Sequence, residues 1–449
     1  MYEWYVKQGL KHAASLAPQV LREPIGLRMR RRAVRAAESW PLSRIRAYQL
    51  LRVNSILAWA ANRVPHYRDQ GLARTLPLRC IEDLRQWPVV ERSTVAADPQ
   101  SFLATGLPRW RTRCGTTTGR SGSPLSVRWE WPSAVWWETA FQHRIYRWAG
   151  LPAGFRRVVL RGSLTHGPGG TESRWWQYVP HRRTLVLSVF QLSGSTVERY
   201  VRTMGSFRPH ALQAYPSAAA KLVRLAREKG LALPRLAAIL TSSETLGPED
   251  RELVEQDLGP VFDFYGHAER AIAAAQCELR RGYHLFDDYG YAEVLDCRGE
   301  ACGPGQTGEL TGTVFHNRAM PLIRYRSGDW ATLSSIPCTC GRQLRVLSAL
   351  EGRPPDYLVN EEGEHVSLRF GLGSADLRGI EELRFYQGTA GVADVRYVGA
   401  SDPAIPARLL AALLRRTGRG LKYRIERVHR LPPVPGGKAV LVVHSGEAP

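Results

Sequence analysis

Between Arg157 and Leu258, short apolar runs take turns with stretches of helical period. Arg157-Val158-Val159-Leu160 reads as a buried strand, and Ser217 to Gly230 as a helix stopped by its glycine. Leu236 to Leu240 reads as the next strand and Arg251 to Leu258 as the next helix. Strands that alternate with helices build a sheet covered by helices, so the fold class is α/β. At 449 residues the chain has room for two or three units of ordinary size. The pattern changes past Gly352. Short strands, a turn at Glu361-Glu362-Gly363 and a helix around Pro406 to Thr417 predict a small α+β unit. The expected division is a large N-terminal domain of mixed sheets and helices, residues 1–352, and a small C-terminal α+β domain, residues 353–449.

Composition excludes several function classes. Apolar residues make up 44% and charged residues 23%, which rules out collagen-like and largely disordered chains. There is no apolar run of about 18 residues, so no membrane-spanning helix is expected. The stretch Met1 to Leu21 is broken by Glu3, Lys7, Gln8, Lys11 and His12, which does not suit a signal peptide. The expectation is a cytoplasmic protein. The seven cysteines, 80, 114, 277, 297, 302, 338 and 340, are odd in number, which argues against a disulfide framework.

Lys and Arg total 62 against 41 Asp and Glu, a net charge of +21, and only six of the 62 are Lys. Arginine grips phosphates and carboxylates with two hydrogen bonds. An anionic partner fits: a nucleotide, a nucleic acid or an acidic membrane surface. Biased codon usage that turns surface Lys into Arg fits equally, because the charge is spread along the chain. The basic run Arg28-Met29-Arg30-Arg31-Arg32, with Arg35, suits a helix lying on an anionic membrane, although such runs are more often solvated helix faces. Nothing resembles a base-reading motif, which counts against nucleic acid.

Five segments carry chemistry. Thr117-Thr118-Gly119-Arg120-Ser121-Gly122-Ser123-Pro124-Leu125 is a Gly/Ser/Thr loop of the kind whose N–H groups and hydroxyls wrap phosphates. It lacks the Lys-Ser/Thr ending of the Walker pattern, and a polar surface loop reads the same way. Asp263-Phe264-Tyr265-Gly266-His267-Ala268-Glu269-Arg270 offers a flat Tyr for stacking and a carboxylate for Mg²⁺, or else a plain strand-to-helix turn. Pro321-Leu322-Ile323-Arg324-Tyr325-Arg326-Ser327-Gly328-Asp329 ends in an Asp suited to two ribose hydroxyls, or to a turn. Gly352-Arg353-Pro354-Pro355-Asp356 falls where the pattern changes, as a hinge would. Pro433-Val434-Pro435-Gly436-Gly437-Lys438 puts one of the six lysines on a Gly-rich loop.

In this order the five resemble the adenylate-forming superfamily, most closely its phenylacetate-CoA ligase-like group and the CapK branch linked to capsular polysaccharide synthesis. Cys277, Tyr283-His284, Tyr289 to Glu293 and Phe315-His316-Asn317 add to the likeness, which runs from about Arg63 to Val443. The resemblance implies a large α/β domain and a small mobile domain joined at Asp356. It implies a two-step reaction: a carboxylic acid and ATP give acyl-AMP and pyrophosphate, then coenzyme A or an amine or hydroxyl acceptor displaces AMP. It implies that Thr118, Gly119, Ser121, Gly122 and Ser123 hold phosphates, that Ser243, Glu244, Tyr265 and Gly266 flank the adenine, and that Glu269 holds Mg²⁺. It further implies that Asp329, with Arg353, binds the ribose and that Lys438 stabilises the transition state.

Two departures stand out. Arg120 sits where the family loop carries Thr or Ser. Ala268 replaces the Thr or Ser before Glu269, removing a donor worth about 1–3 kcal/mol if its partner is buried. They support a second reading, a catalytically degenerate scaffold or binding protein of a polysaccharide assembly system. Glu269, Asp329, Arg353 and Lys438 argue against it. Cys277, His284, Cys338 and Cys340 are four soft ligands of the type Zn²⁺ favours, or else buried reduced thiols. Trp129, Trp131, Trp136, Trp137 and Trp148 follow the phosphate loop as core residues or as lining for an aryl or long-chain acid. Tyr215-Pro216-Ser217 lies where the family places pocket residues.

Overall fold

The computed structural model describes residues 23–444 apart from 117–124, 162–164, 167–172, 297, 353–356, 362–364, 368–375, 418–419 and 433–441. Two helices open the described chain: α1 (Ile25–Ala37) and α2 (Leu42–Arg63). A hairpin follows, β1 (Thr112–Thr116) against β2 (Ser126–Glu130), and then α3 (Ser133–Trp148). Next come β3 (Arg157–Arg161), β4 (Trp176–Val179), β5 (Thr184–Ser188), α4 (Val197–Phe207), β6 (Ala211–Ala214), α5 (Pro216–Glu228), β7 (Ala238–Ser242), α6 (Pro248–Asp257) and β8 (Val261–Gly266). Six antiparallel strands continue: β9 (Ala273–Ala275), β10 (Tyr283–Leu285), β11 (Gly290–Leu295), β12 (Thr307–Val314), β13 (Tyr325–Leu333) and β14 (Val346–Gly352).

All but the hairpin join one twelve-stranded sheet in the order β11-β12-β13-β14-β10-β9-β8-β7-β6-β3-β5-β4. Strands β5, β3, β6, β7 and β8 run parallel, which is the α/β pattern expected from the alternation. The middle of this half is buried on both faces: every residue of β7 is buried, and Val158, Leu160, Leu212 and Ile239 are fully covered. Helix α5 lays eight buried residues, among them Ala219, Leu222 and Val223, onto this half. The sheet is therefore mixed, parallel on one side and antiparallel on the other.

Boundaries moved where proline lies in the first turn of a helix. The helix expected from Arg251 starts at Pro248, and the one expected from Pro406 starts at Ala404. Proline is accepted in a first turn because that N–H has no partner to lose. The strand expected at Leu236 begins at Ala238. Past the large sheet, β15 (Tyr357–Val359) pairs with β16 (His365–Ser367). A separate four-stranded sheet then forms from β17 (Ile380–Thr389), β18 (Val392–Gly399), β19 (Lys422–Arg427) and β20 (Val442–His444), with α7 (Ala404–Thr417). It has its own apolar cluster around Phe385, Val395, Leu409 and Leu413. Lys221 of α5 meets Glu382 of β17 at 2.7 Å. Part of the turn at Glu361-Glu362-Gly363 lies outside the described residues.

The basic run falls on α1 and is partly engaged. Arg30 stacks on Trp136 and Trp137 at 5.3 Å and donates to Ser133, and Arg31 pairs with Glu23 at 2.6 Å. Among the described residues no helix is long and apolar enough to cross a membrane. The six described cysteines form no disulfide.

Candidate functional site

Parallel strands end together, so the loops after them share one edge, where α/β sheets place ligands. Arg161 closes β3, Tyr215 follows β6, Ser243-Glu244 follow β7, and Tyr265 to Arg270 end and follow β8. Ser243 and Arg270 hold left-handed backbone, φ 74° and 59°, which costs a side-chain-bearing residue energy and gathers at functional edges.

Three expected residues meet there. The Tyr265 hydroxyl donates to Asp329 Oδ2 at 2.7 Å, joining β8 to β13. The Asp329 backbone N–H donates to Ser327 Oγ at 3.1 Å, which holds the chain at that position. Glu269 is buried (3% exposed) and takes three partners: Arg92 at 3.1 Å, the Tyr325 hydroxyl at 2.8 Å and His267 Nδ1 at 3.1 Å. Burial works to raise its pKa. The hydrogen bond and charge of His267 and the Tyr325 hydroxyl outweigh that and bring it down to about 2. Glu269 is therefore an anion. Trp129 of β2 donates to the Ala268 carbonyl at 2.8 Å, and Arg270 lies 4.1 Å from the centre of its ring. The β1–β2 hairpin thus reaches the β8 turn.

Glu244 accepts the Ser217 N–H at 3.2 Å, at the start of α5. Gly266 ends β8 and pairs with Ala273. The expected phosphate-loop residues Thr118, Gly119, Arg120, Ser121, Gly122 and Ser123 lie outside the described residues. So do Arg353, Asp356 and Lys438. Of the five tryptophans, Trp148 is buried in the core, and Trp136 and Trp137 stack with Arg30.

Arg92 carried no signal in the sequence, because it lies 177 positions from Glu269. His267 and Tyr325 stood inside quoted motifs without a role. The signal available was their spacing: both lie close in the chain to an expected ligand-binding carboxylate.

Cys277, His284, Cys338 and Cys340 come together with all ligand atoms within 4.8 Å of one another. Cys277 and Cys338 sulfurs stand 3.8 Å apart, and Cys340 Sγ stands 3.5 Å from His284 Nε2. A tetrahedral zinc with its usual bond lengths separates two sulfurs by roughly 3.8 Å and a sulfur from a nitrogen by roughly 3.5 Å. The donor set and spacing fit that ion. Burial pushes the Cys277 thiol up to about 12, with Cys340 and Cys338 adding to it, and burial pulls His284 down to about 4. The neutral imidazole is the ligand form. The antiparallel register, Gly266 opposite Ala273 and Phe264 opposite Ala275, carries Cys277 away from the edge that holds Glu269.

No family model matches the chain. Among curated proteins it is 27% identical to the phenylacetate-coenzyme A ligase of Thermus thermophilus over 342 residues, 72% of this chain and 73% of that protein. It is 28% identical to the ligase of the same name from Pseudomonas putida over 339 residues, again 72% and 73%. Protein CapK of Staphylococcus aureus is 24% identical over 314 residues, 68% of this chain and 67% of that one. Among solved structures, a 2-hydroxyisobutyryl-CoA ligase in its postadenylation state matches in fold with a TM-score of 0.68 at 20% identity, covering 92% of each chain. The chain that carries the Tyr265–Asp329 and Glu269 constellation at its strand ends is thus similar in sequence to phenylacetate-coenzyme A ligases and to CapK, and in fold to an adenylate-forming ligase.

Proposed function

We propose that the protein is an ATP-dependent, AMP-forming ligase that activates a carboxylic acid and passes the acyl group to coenzyme A or to an amine or hydroxyl acceptor. The observation that carries this reading is the meeting of Tyr265, Asp329 and an ionised, buried Glu269 at the C-terminal edge of the parallel strands. A carboxylate oxygen attacks the α-phosphorus, and the bond to pyrophosphate breaks. Both reactants are anions, so preorganised positive charge helps most in the transition state. Lys438 supplies that charge, and Thr118, Ser121 and Ser123 hold the phosphates. Tyr265 packs on the adenine and orients Asp329, which takes the ribose hydroxyls with Arg353 in support. Glu269 is a hard oxygen donor that suits Mg²⁺: Oε1 accepts from both Arg92 and Tyr325, while Oε2, which meets His267 alone among the described residues, keeps a lone pair. Bound there, Mg²⁺ draws negative charge off the phosphates. The division at residue 352, with a hinge at Asp356, lets the small domain deliver Lys438 after substrates bind and exclude water from the acyl-AMP.

The test is pyrophosphate release with ATP, Mg²⁺ and hydroxylamine across aryl, fatty, amino and sugar acids. Acid-dependent release is expected, and Lys438→Ala should lower it by about a hundredfold or more while nucleotide binding and thermal midpoint hold. Undiminished release in the variant refutes the role of Lys438. ATP binding without release for any acid favours the second reading, a scaffold in polysaccharide assembly, for which Ala268 and Arg120 speak.

The same proposal includes one structural zinc on Cys277, His284, Cys338 and Cys340, supported by the fit of their spacing to a tetrahedral ion. Protein purified without chelator should carry about one equivalent, and Cys338→Ser with Cys340→Ser should lose it along with thermal stability. Less than about a tenth of an equivalent in the wild type sinks the idea.

A further inference from the structure

Strand β3 alternates strictly. Val158 and Leu160 are fully covered by the core, while Arg157, Val159 and Arg161 take the other face. The two arginines on that face differ. Arg157 is well supplied, donating to Thr184 Oγ1 at 3.1 Å, to Gln213 Oε1 at 3.2 Å and to the Tyr146 hydroxyl. Arg161 has one hydrogen bond among the described residues, from Nη2 to Ser242 Oγ at 2.8 Å. Its guanidinium sits over the Tyr215 ring, 5.4 Å from the centre. Its Nε is buried and has no hydrogen-bond partner among the described residues, and no carboxylate there lies within ion-pair distance. The acid that faces it, Glu244, also accepts the Ser217 N–H. Burial lowers the pKa of Arg161 from its ordinary value, which is the mark of a cation short of compensation. A guanidinium has five N–H donors in a planar fork, a shape that matches a carboxylate.

Position says what would supply the missing acceptor. Arg161 ends β3, three strands along from β8 in the order β8-β7-β6-β3. The guanidinium does not stay over β3: it crosses Tyr215 and reaches Ser242 of β7, the strand beside β8. Adjacent strands lie about 4.8 Å apart, so the charged head stands about one strand spacing from β8. Tyr265 and Glu269 mark the nucleotide end. A substrate whose reacting carboxylate meets the nucleotide at β8 needs only a short body to present its far end to Arg161.

We infer that Arg161 is a specificity-determining residue that selects acids bearing a second carboxylate at the end away from the reacting one. This rests on the ligase reading above and names its substrate class, a dicarboxylic acid. The guanidinium pairs with the distal carboxylate. The same site disfavours the monocarboxylic analogue, which leaves the half-buried guanidinium, with its buried Nε, short of an acceptor.

The test uses the full-length protein and matched pairs: succinate with butyrate, and terephthalate with benzoate. Two readouts run in parallel. One is acid-dependent pyrophosphate release; the other is calorimetric binding of each acid in the presence of AMP. Wild type should favour the dicarboxylate of a pair by about tenfold or more in kcat/KM and in affinity. Arg161→Gln should lower the dicarboxylate figures about tenfold to a hundredfold, mainly through KM, and leave the monocarboxylates within about threefold. Arg161→Lys should recover part of the loss. Equal losses for both members, a rise in the KM for ATP with every acid, or a wild-type preference for monocarboxylates overturns the inference and leaves the ligase reading standing. Arg161-dependent binding of dicarboxylates without pyrophosphate release overturns the ligase reading and keeps this one. Neither binding nor release with any pair overturns both.

Discussion

Asp263 and Glu269 sit six positions apart and are driven in opposite directions. Asp263 is buried, accepts from the Thr241 and Tyr283 hydroxyls at 2.6 and 2.8 Å, and is pushed up to about 6 because burial outweighs those bonds. Its folded value is above its unfolded one. Its stabilising effect is therefore complete below about pH 4 and is lost as pH rises through 6, a change on the order of 3 kcal/mol. Asp263→Asn should flatten the fall in stability between about pH 4 and 6, read from urea midpoints at a series of pH values. A slope that survives the substitution would remove Asp263 as its source. At this scale the motifs made Tyr265, Glu269 and Asp329 legible. Their union was not, since a hydroxyl-to-carboxylate bond between β8 and β13 has no trace in either segment alone. Arg161 was silent because an arginine at the end of an apolar strand reads as the solvated tip of that strand.

Helices show a different limit. α3 carries Arg144 in the middle of a tryptophan-rich face, where an arginine is expected in water. It is 0% exposed. It binds Asp288 with two nitrogens at 2.7 and 2.8 Å, donates to the Val34 carbonyl of α1 at 2.6 Å, and meets Glu38 at 3.3 Å. One guanidinium thus clamps α1, α3 and the loop before β11. Arg144→Met should lower stability by about 3–5 kcal/mol in denaturant melts, because Asp288 is left buried and uncompensated. A loss below about 1 kcal/mol would show that α1 is held by its apolar contacts instead. Helical period announced α5 and α6 but not α3, nor that α3 would bury an arginine. That burial is decided by partners more than a hundred positions away.

For the molecule as a whole, the alternation from Arg157 to Leu258 was enough to expect the parallel half of the sheet. Strands β11 to β14 were not foreseen as part of the same sheet, because the pairs that join them to β10, Tyr283–Leu347 and His284–Val346, span more than sixty positions. The +21 charge also looks different once folded. Some of the arginine is engaged by the fold: Arg92 on Glu269, Arg324 on Glu293, Arg345 on Asp287, and Arg342 over Trp148. The seam at β10 and β14 has a further consequence. During synthesis β8 and β9 leave the ribosome long before β14, so the central strand β10 waits with one side unpaired until residue 352 is made. An open strand edge invites pairing with other chains. The nascent protein passes through a window in which its own missing strand is its best protection against aggregation, and translation speed between residues 285 and 352 sets how long that window stays open.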